Sequence, residues 1–390
     1  MSSFAERLQR HFEGQVTFAA AYSPLYARFF ATGARWLDQP EHPVGHWLLQ
    51  VGQDRNPFDV TLLLAAAIHR DILADHLSAH ALRPYYPTVG GDRSPDDPAL
   101  PGLWENLILT RREAYAPFIQ TATVQTNETG RGLAWLWPLL HTNWSAVNLV
   151  DLGASAGLNL VSERRAYRLQ DKKTGATLAD VGLGEPVQFV TQVTNSNQLP
   201  HLNARSVRPT ADYPQILSRT GCDLAPFRLA NRERELTLMA YVWGDQPQRL
   251  ARLQEGIEAL HEVSRHAAAL VHLLPVNLPD ELPAFLHHIP HNPAPVLLYN
   301  TWMTSYLRDK GAALRSHIGQ WAKTQSRPVL WVQWEPPADG STPPVFGWCA
   351  WLAELWHAGQ YHQWQLGWVH PHGVDMHITE GMRAWLDFWA

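Results

Sequence analysis

The chain reads as an α/β protein. A helical N-terminal region over residues 1–140 precedes a doubly wound, mainly parallel sheet over 141–390 that ends in an antiparallel hairpin. Three observations predict this. From Val147 onward, short apolar runs alternate with helical patterns, as in a parallel sheet with crossover helices. Before that point, apolar residues recur at helical spacing. At the junction, the run Val147 to Leu160 has the form of a buried strand that bends sharply and continues as a helix.

Each element has its own signal. Phe4, Leu8, Phe12 and Val16 mark one amphipathic face, and Leu62, Leu63, Ala66 and Ile68 another. The segment 84–95 is crowded with Pro, Gly and Asp and reads as a long irregular connection, after which Leu103 to Ile119 returns to helix. Strands are expected over 147–151, 187–193, 238–243, 269–274, 295–300 and 328–334, and helices over 158–168, 247–264, 304–323 and 347–358. Gln363 to Val369 and Val374 to Ile378, around the turn His370 to Gly373, predict the hairpin at an antiparallel edge.

Composition narrows the function classes. With 45% hydrophobic residues in 390, the chain can bury a large core, and 18 Trp and 20 His stand where charged residues, at 17%, are scarce. A net charge of −5 without basic blocks predicts no nucleic-acid partner. Cys222 and Cys349 alone build neither a disulfide framework nor a cysteine zinc site. The N-terminus lacks a signal-peptide core and no apolar run approaches a bilayer span, so a cytoplasmic protein without membrane contact is expected. The sequence leaves the oligomeric state open.

The chemistry concentrates at the junction. Asp151 ends its strand where open α/β sheets bind ligands, and Gly153, Ser155 and Gly157 let the backbone bend tightly. The order acid-x-small-x-small-x-Gly resembles the cofactor loop of S-adenosylmethionine-dependent methyltransferases more than the G-x-G-x-x-G phosphate fingerprint. Three further runs strengthen the likeness: Val124 to Arg131, the G-x-D-x-x-P turn Gly221 to Pro226, and Val242 to Gln246 followed by Arg249 and Arg252. Together they are similar to a bacterial family known as a domain of unknown function, expected to carry a methyltransferase-like, Rossmann-like fold. The likeness covers nearly the whole chain. It implies S-adenosylmethionine as cofactor and a small-molecule or protein acceptor.

That resemblance places Asp151, Gly153, Ser155, Gly157 and Asn159 around the methionine moiety and Asp223 at the ribose. Ser155 departs from the usual middle glycine. Asp223 lies far beyond the roughly 20-residue distance usual for a ribose acid, which requires 166–215 to be an insertion. Asp171 and Asp180 are the alternatives, in a polar stretch without a strand pattern before it, and Asp223 also reads as a plain turn cap. Gln125, Asn127, Glu128 and Arg131 are either a lid over the cofactor loop or, for Glu128 and Arg131, a surface pair one helical turn apart. Asp245 is an N-cap or, with Arg249, part of the substrate edge. Tyr299 and Asn300 end a strand at that edge, where no Asn-Pro-Pro-Tyr type motif occurs. Glu335 and His372 are the candidate general bases. His370, His372 and His377 have some metal-ligand spacing but no completing acid or Cys set apart from Asp375, so no metal is expected.

Overall fold

The computed structural model describes residues 3–125, 127–185, 187, 189–199, 213–265 and 270–390. The chain forms two units: Met1–Thr126 with Leu229–Ala251, and Asn127–Arg228 with Arg252–Ala390.

The first unit is helical. It begins with α1 (Phe4–Ala19), α2 (Pro24–Asp38), α3 (Pro43–Gly52), α4 (Pro57–Leu73) and α5 (Leu100–Thr121). Ser3 starts α1 with a capping box, its hydroxyl accepting from the Glu6 N–H while the Glu6 carboxylate accepts from its own. Leu8, Phe12, Phe30, Leu63, Leu64 and Trp104 fill the core between these helices. The Pro/Gly-rich segment is ordered by short 3₁₀ turns at Leu77–Tyr85 and Pro87–Val89. After α6 (Leu133–Leu140), which belongs to the second unit, α7 (Arg232–Ala240) returns to the first. Here the expected strand at 238–243 is corrected. Leu238, Met239 and Ala240 are buried in the last turn of α7, because a short apolar run suits a buried helix as well as a strand. His69 fixes this helix end from inside the unit, one ring nitrogen 3.3 Å from the Ala240 carbonyl and the other 2.8 Å from the Thr88 hydroxyl. Burial lowers its pKa to about 4, so the ring is neutral.

The second unit is built on a sheet of eleven strands among the described residues. They are β1 (Ala146–Leu152), β2 (Tyr167–Asp171), β3 (Thr177–Val181), β4 (Phe189–Thr194), β5 (Gln215–Asp223), β6 (Val271–Pro275), β7 (Val296–Thr301), β8 (Val329–Glu335), β9 (Cys349–His357), β10 (Gln360–Val369) and β11 (Asp375–Ile378). Their spatial order is β3-β2-β4-β11-β10-β9-β8-β7-β1-β5-β6. From β6 to β8 all neighbours are parallel, whereas β8, β9, β10 and β11 alternate in direction. The large, mostly parallel sheet, its antiparallel C-terminal hairpin and the N-terminal helices are the mixed α/β architecture that the sequence predicts.

Both faces of the central strands are covered, which explains their continuous apolar runs. Leu149, Leu297, Leu330 and Val332 pack in one core with Trp135 and Leu136 of α6 and with Met382 and Trp385 of a helix at Glu380–Trp389. Val150, Leu298 and Trp331 face the opposite core, which holds Phe285 of a short helix at Leu282–Leu286 and Leu314 and Ile318 of a helix at Ala312–Lys323.

Three expectations need correction. Residues 347–358 are strand β9, not helix. Paired on both sides and buried on both faces, the strand shows no alternation to read. Its hairpin to β10 turns at Ala358 and Gly359, both at positive φ (51° and 75°), as a two-residue turn matched to strand twist requires. Residues 158–168 are a 3₁₀ segment, Leu158–Arg164, broken at Val161 and followed at once by β2. Strand pairing claims Tyr167 before a helix can propagate. In the stretch 304–323, helix begins only at Ala312, after a short turn at Thr304–Tyr306. Strands β2, β3 and β5 fall where no strand was expected. No helix among the described residues is long and apolar enough to cross a membrane.

Candidate functional site

The strand order reverses at β1. β5 and β6 lie to one side of it and β7 and β8 to the other, so the carboxyl ends of β1 and β7 flank a topological switch point. Asp151, Asp223, Tyr299, Asn300 and Glu335 all sit at this edge of the sheet.

Asp151 is buried, and its Oδ2 accepts 2.7 Å from the Tyr299 hydroxyl. No donor among the described residues meets its other oxygen. Burial lifts this carboxyl from 3.8 to about 7, the tyrosine bond pulling the other way and the Asp223 charge adding to the rise. Tyr299 in turn is raised well above the ordinary tyrosine value by burial and by Asp151.

The loop after Asp151 bends through three left-handed residues, Gly153 (φ 93°), Ser155 (φ 49°) and Gly157 (φ 75°). Glycine is required at Gly153, where the left-handed backbone comes close enough to Met303 that an added Cβ would lie 3.0 Å from its side chain. Every amide of the loop has a protein acceptor. Those of Gly153 and Ala154 donate to the Cys222 carbonyl, both at 2.8 Å, and that of Gly157 to the Ala154 carbonyl at 2.7 Å. Ser155 N donates 2.9 Å to Asp223 Oδ2, and Ala156 N 3.4 Å to Asn127 Oδ1. The loop therefore offers no amide cradle to an anion. The acidic groups beside it are Asp151 and Asp223.

Asp223 reaches this loop although 65 residues and more separate them in sequence, because β5 pairs directly with β1 and aligns Asp151 with Gly221. The intervening strands β2 to β4 join the opposite end of the sheet, beyond β11. Asp223 also accepts from Ala225 N, as a turn cap does. Asp171 and Asp180 lie on β2 and β3, far along the sheet. Asp171 binds Thr174 and Ser196, and Asp180 pairs with Arg168.

Asn127 bridges to the loop a second time, its Nδ2 donating to Ser155 Oγ at 3.2 Å, and Asn159 Nδ2 donates to the Glu128 carbonyl at 3.3 Å. Glu128 and Arg131 are not a surface pair. Both are buried, Glu128 with Oε2 3.2 Å from His372 Nδ1 and Arg131 donating from Nε to the Pro371 carbonyl at 2.8 Å. The 3₁₀ turn Thr129–Gly132 carries them inward under the hairpin turn.

Glu335 is fully engaged. Its oxygens accept from Asn300 Nδ2, from the backbone amides of Met303 and Thr304, and from the Thr304 hydroxyl, at 2.7–3.0 Å. Burial raises its pKa and these bonds oppose the rise. It holds the chain after β7, where Trp302 takes a left-handed φ of 54°. The Met303 and Thr304 amides are partners that no sequence signal marks, and a tryptophan at positive φ is foreign to any turn motif.

Gln125, Asp245 and Arg249 belong to the helical unit. Asp245 caps α2, accepting from Ser23 Oγ at 2.7 Å and from Leu25 N at 3.1 Å, and Arg249 donates to Gln246. His377 hydrogen-bonds Thr194, and no group of three or more His, Cys, Asp or Glu among the described residues is arranged to hold a metal ion.

Fold and site thus define an α/β protein with two acids converging on a bent loop at a strand reversal. The chain belongs to the family described as "Uncharacterized protein conserved in bacteria (DUF2332)", whose model matches residues 9–377. No curated protein and no solved structure matches it.

Proposed function

We propose that this protein is an S-adenosylmethionine-dependent methyltransferase acting on a small-molecule or protein acceptor. One observation carries the reading: two carboxylates at the ends of adjacent parallel strands, Asp151 and Asp223, flank a loop whose five amides are already satisfied. Such a site suits a ligand that brings cations and hydroxyl donors and repels a pyrophosphate. S-adenosylmethionine has an ammonium, a sulfonium and a ribose diol, and so fits these residues. The methyltransferase-like fold is part of the same proposal, supported by the order β6-β5-β1-β7-β8 with its antiparallel neighbour β9.

Bound there, the donor supplies a methyl group activated by positive sulfur. Asp151 receives the ammonium, which favours the ionised carboxylate that burial disfavours. Asp223 keeps a lone pair on each oxygen for the ribose hydroxyls while one of its bonds holds Ser155 in its left-handed turn. Alignment of donor and acceptor at the switch point accounts for much of the barrier reduction. A base other than the saturated Glu335 is needed for a protonated acceptor, and we assign that role to His372, whose Nδ1 lies 3.2 Å from Glu128 Oε2.

Titration calorimetry with S-adenosylmethionine and S-adenosylhomocysteine, with oxidised nicotinamide dinucleotide as control, tests the reading on wild type and Asp151→Ala. Binding of the first two ligands only, lost in the variant, is expected. Silence of the wild type at roughly millimolar ligand overturns it. The occupied state of Glu335 favours a second reading, a non-catalytic ligand-binding protein, which binding without turnover on an acceptor panel would single out.

A further inference from the structure

A second polar cluster lies at the same edge of the sheet, around Arg131. This arginine is 7% exposed, yet only its Nε has a protein acceptor, the Pro371 carbonyl. No acceptor among the described residues takes its Nη hydrogens. Its guanidinium carbon lies 6.0 Å from the centroid of the Trp302 ring. The strained backbone at Trp302 is held by its own amide, which donates to the Trp334 carbonyl at 2.9 Å, and by the Glu335 bonds to the next two residues. His372 follows Pro371 in the same turn, its side chain 37% exposed, with Nδ1 3.2 Å from Glu128 Oε2 and its ring 5.3 Å from that of His370.

The Arg131 Nη atoms are not among the solvent-excluded side-chain atoms left without a partner, so four of its five donors remain accessible to a ligand. The planar fork matches two oxygens of one carbon or phosphorus. The charge of Arg131 also feels Glu128 and Glu335, so the surroundings tolerate one further negative charge better than two. We propose that Arg131 is the recognition residue of a carboxylate-binding subsite, with Trp302 as its aromatic wall and His372, in close contact with Glu128, as the polar group beside the bound carboxylate. As the seat of a carboxylate-bearing acceptor, this subsite rests on the methyltransferase reading and names its substrate class. As a carboxylate site, it stands without that reading.

The full-length protein labelled at arginine with ¹⁵N and ¹³C provides the test, the Arg131 side-chain signal being assigned through its backbone and by its loss in Arg131→Lys. Acetate and succinate are expected to shift this signal saturably, while inorganic phosphate at equal concentration leaves it in place. Arg131→Lys should weaken succinate binding, read by calorimetry, by about tenfold or more, the loss of one charge-assisted hydrogen bond. Trp302→Leu, which leaves the guanidinium in place, should weaken it by roughly fivefold. An Arg131 signal unmoved by either carboxylate overturns the proposal, as does an equal response to phosphate. Loss of S-adenosylhomocysteine binding in Arg131→Lys, with no carboxylate effect on the wild type, also overturns it and assigns Arg131 to the donor's own carboxylate. Carboxylate binding without any S-adenosylhomocysteine binding keeps the subsite and removes only the methyltransferase reading.

Discussion

Replacing Asp151 with asparagine should stabilise the protein at neutral pH. In the native state burial raises this carboxyl from 3.8 to about 7, so the folded chain holds a proton that the unfolded chain has released. The sign follows. At pH below 4 both states are protonated and the site costs nothing. As pH rises from about 4 to 7 the native state loses stability, and above 7 the loss is complete. At about 1.4 kcal/mol per pH unit, a rise of some three units amounts to roughly 4 kcal/mol. Asparagine keeps the shape and an oxygen for the Tyr299 hydroxyl and removes the buried charge. Urea unfolding of wild type and Asp151→Asn at pH 4, 6 and 8 should therefore give curves that coincide within ~1 kcal/mol at pH 4 and diverge by up to about 4 kcal/mol at pH 8, the variant being the more stable. Asp223→Asn should flatten part of this pH dependence, because Asp223 contributes to the rise, while its NH₂ group set against the Ser155 or Ala225 amide lowers stability at every pH. A variant less stable than wild type at pH 8, or a difference that does not change with pH, would refute the reasoning. A gain in stability combined with lost ligand binding is the mark of a residue kept for function at a cost to the fold.

Two further substitutions test local structure. Glu335→Gln puts an NH₂ group against the Met303 and Thr304 amides and leaves buried donors unpaired; we expect a loss of about 3 kcal/mol in denaturant unfolding, and a loss below ~1 kcal/mol would show that the turn after β7 is held otherwise. Asp245→Ala removes the acceptor of Ser23 Oγ and Leu25 N at the start of α2 and should cost roughly 1–2 kcal/mol in thermal unfolding, with no change marking the cap as dispensable.

The sequence was legible where local pattern and burial agree. The strand at β1, its acid and the three small residues after it could be read directly, since φ > 0 twice demanded glycine and the apolar run had to be buried. The amphipathic helices of the first unit were equally plain. Reading failed where an apolar run suits two structures: 238–243 became the end of a helix and 347–358 a central strand, because packing on both faces erases the period that tells them apart. Strands β2 and β3 were missed because polar, half-exposed strands at the end of a sheet carry little apolar signal.

By itself, then, the sequence determined the class of fold, the bend after Asp151 and the presence of acids and histidines suited to a site. Only the tertiary structure decided which of them meet. Parallel pairing of β5 with β1 brings Asp223 to the amide of Ser155, and the hairpin turn at 370–373 closes over Glu128 and Arg131, which a surface helix would have paired with each other. Tertiary structure also decided that the amides of the bend are spent on Cys222, Ala154, Asp223 and Asn127. Local periodicity fixes which way a residue faces along its own element. The neighbour it faces is set by strand order, and strand order is a property of the whole sheet.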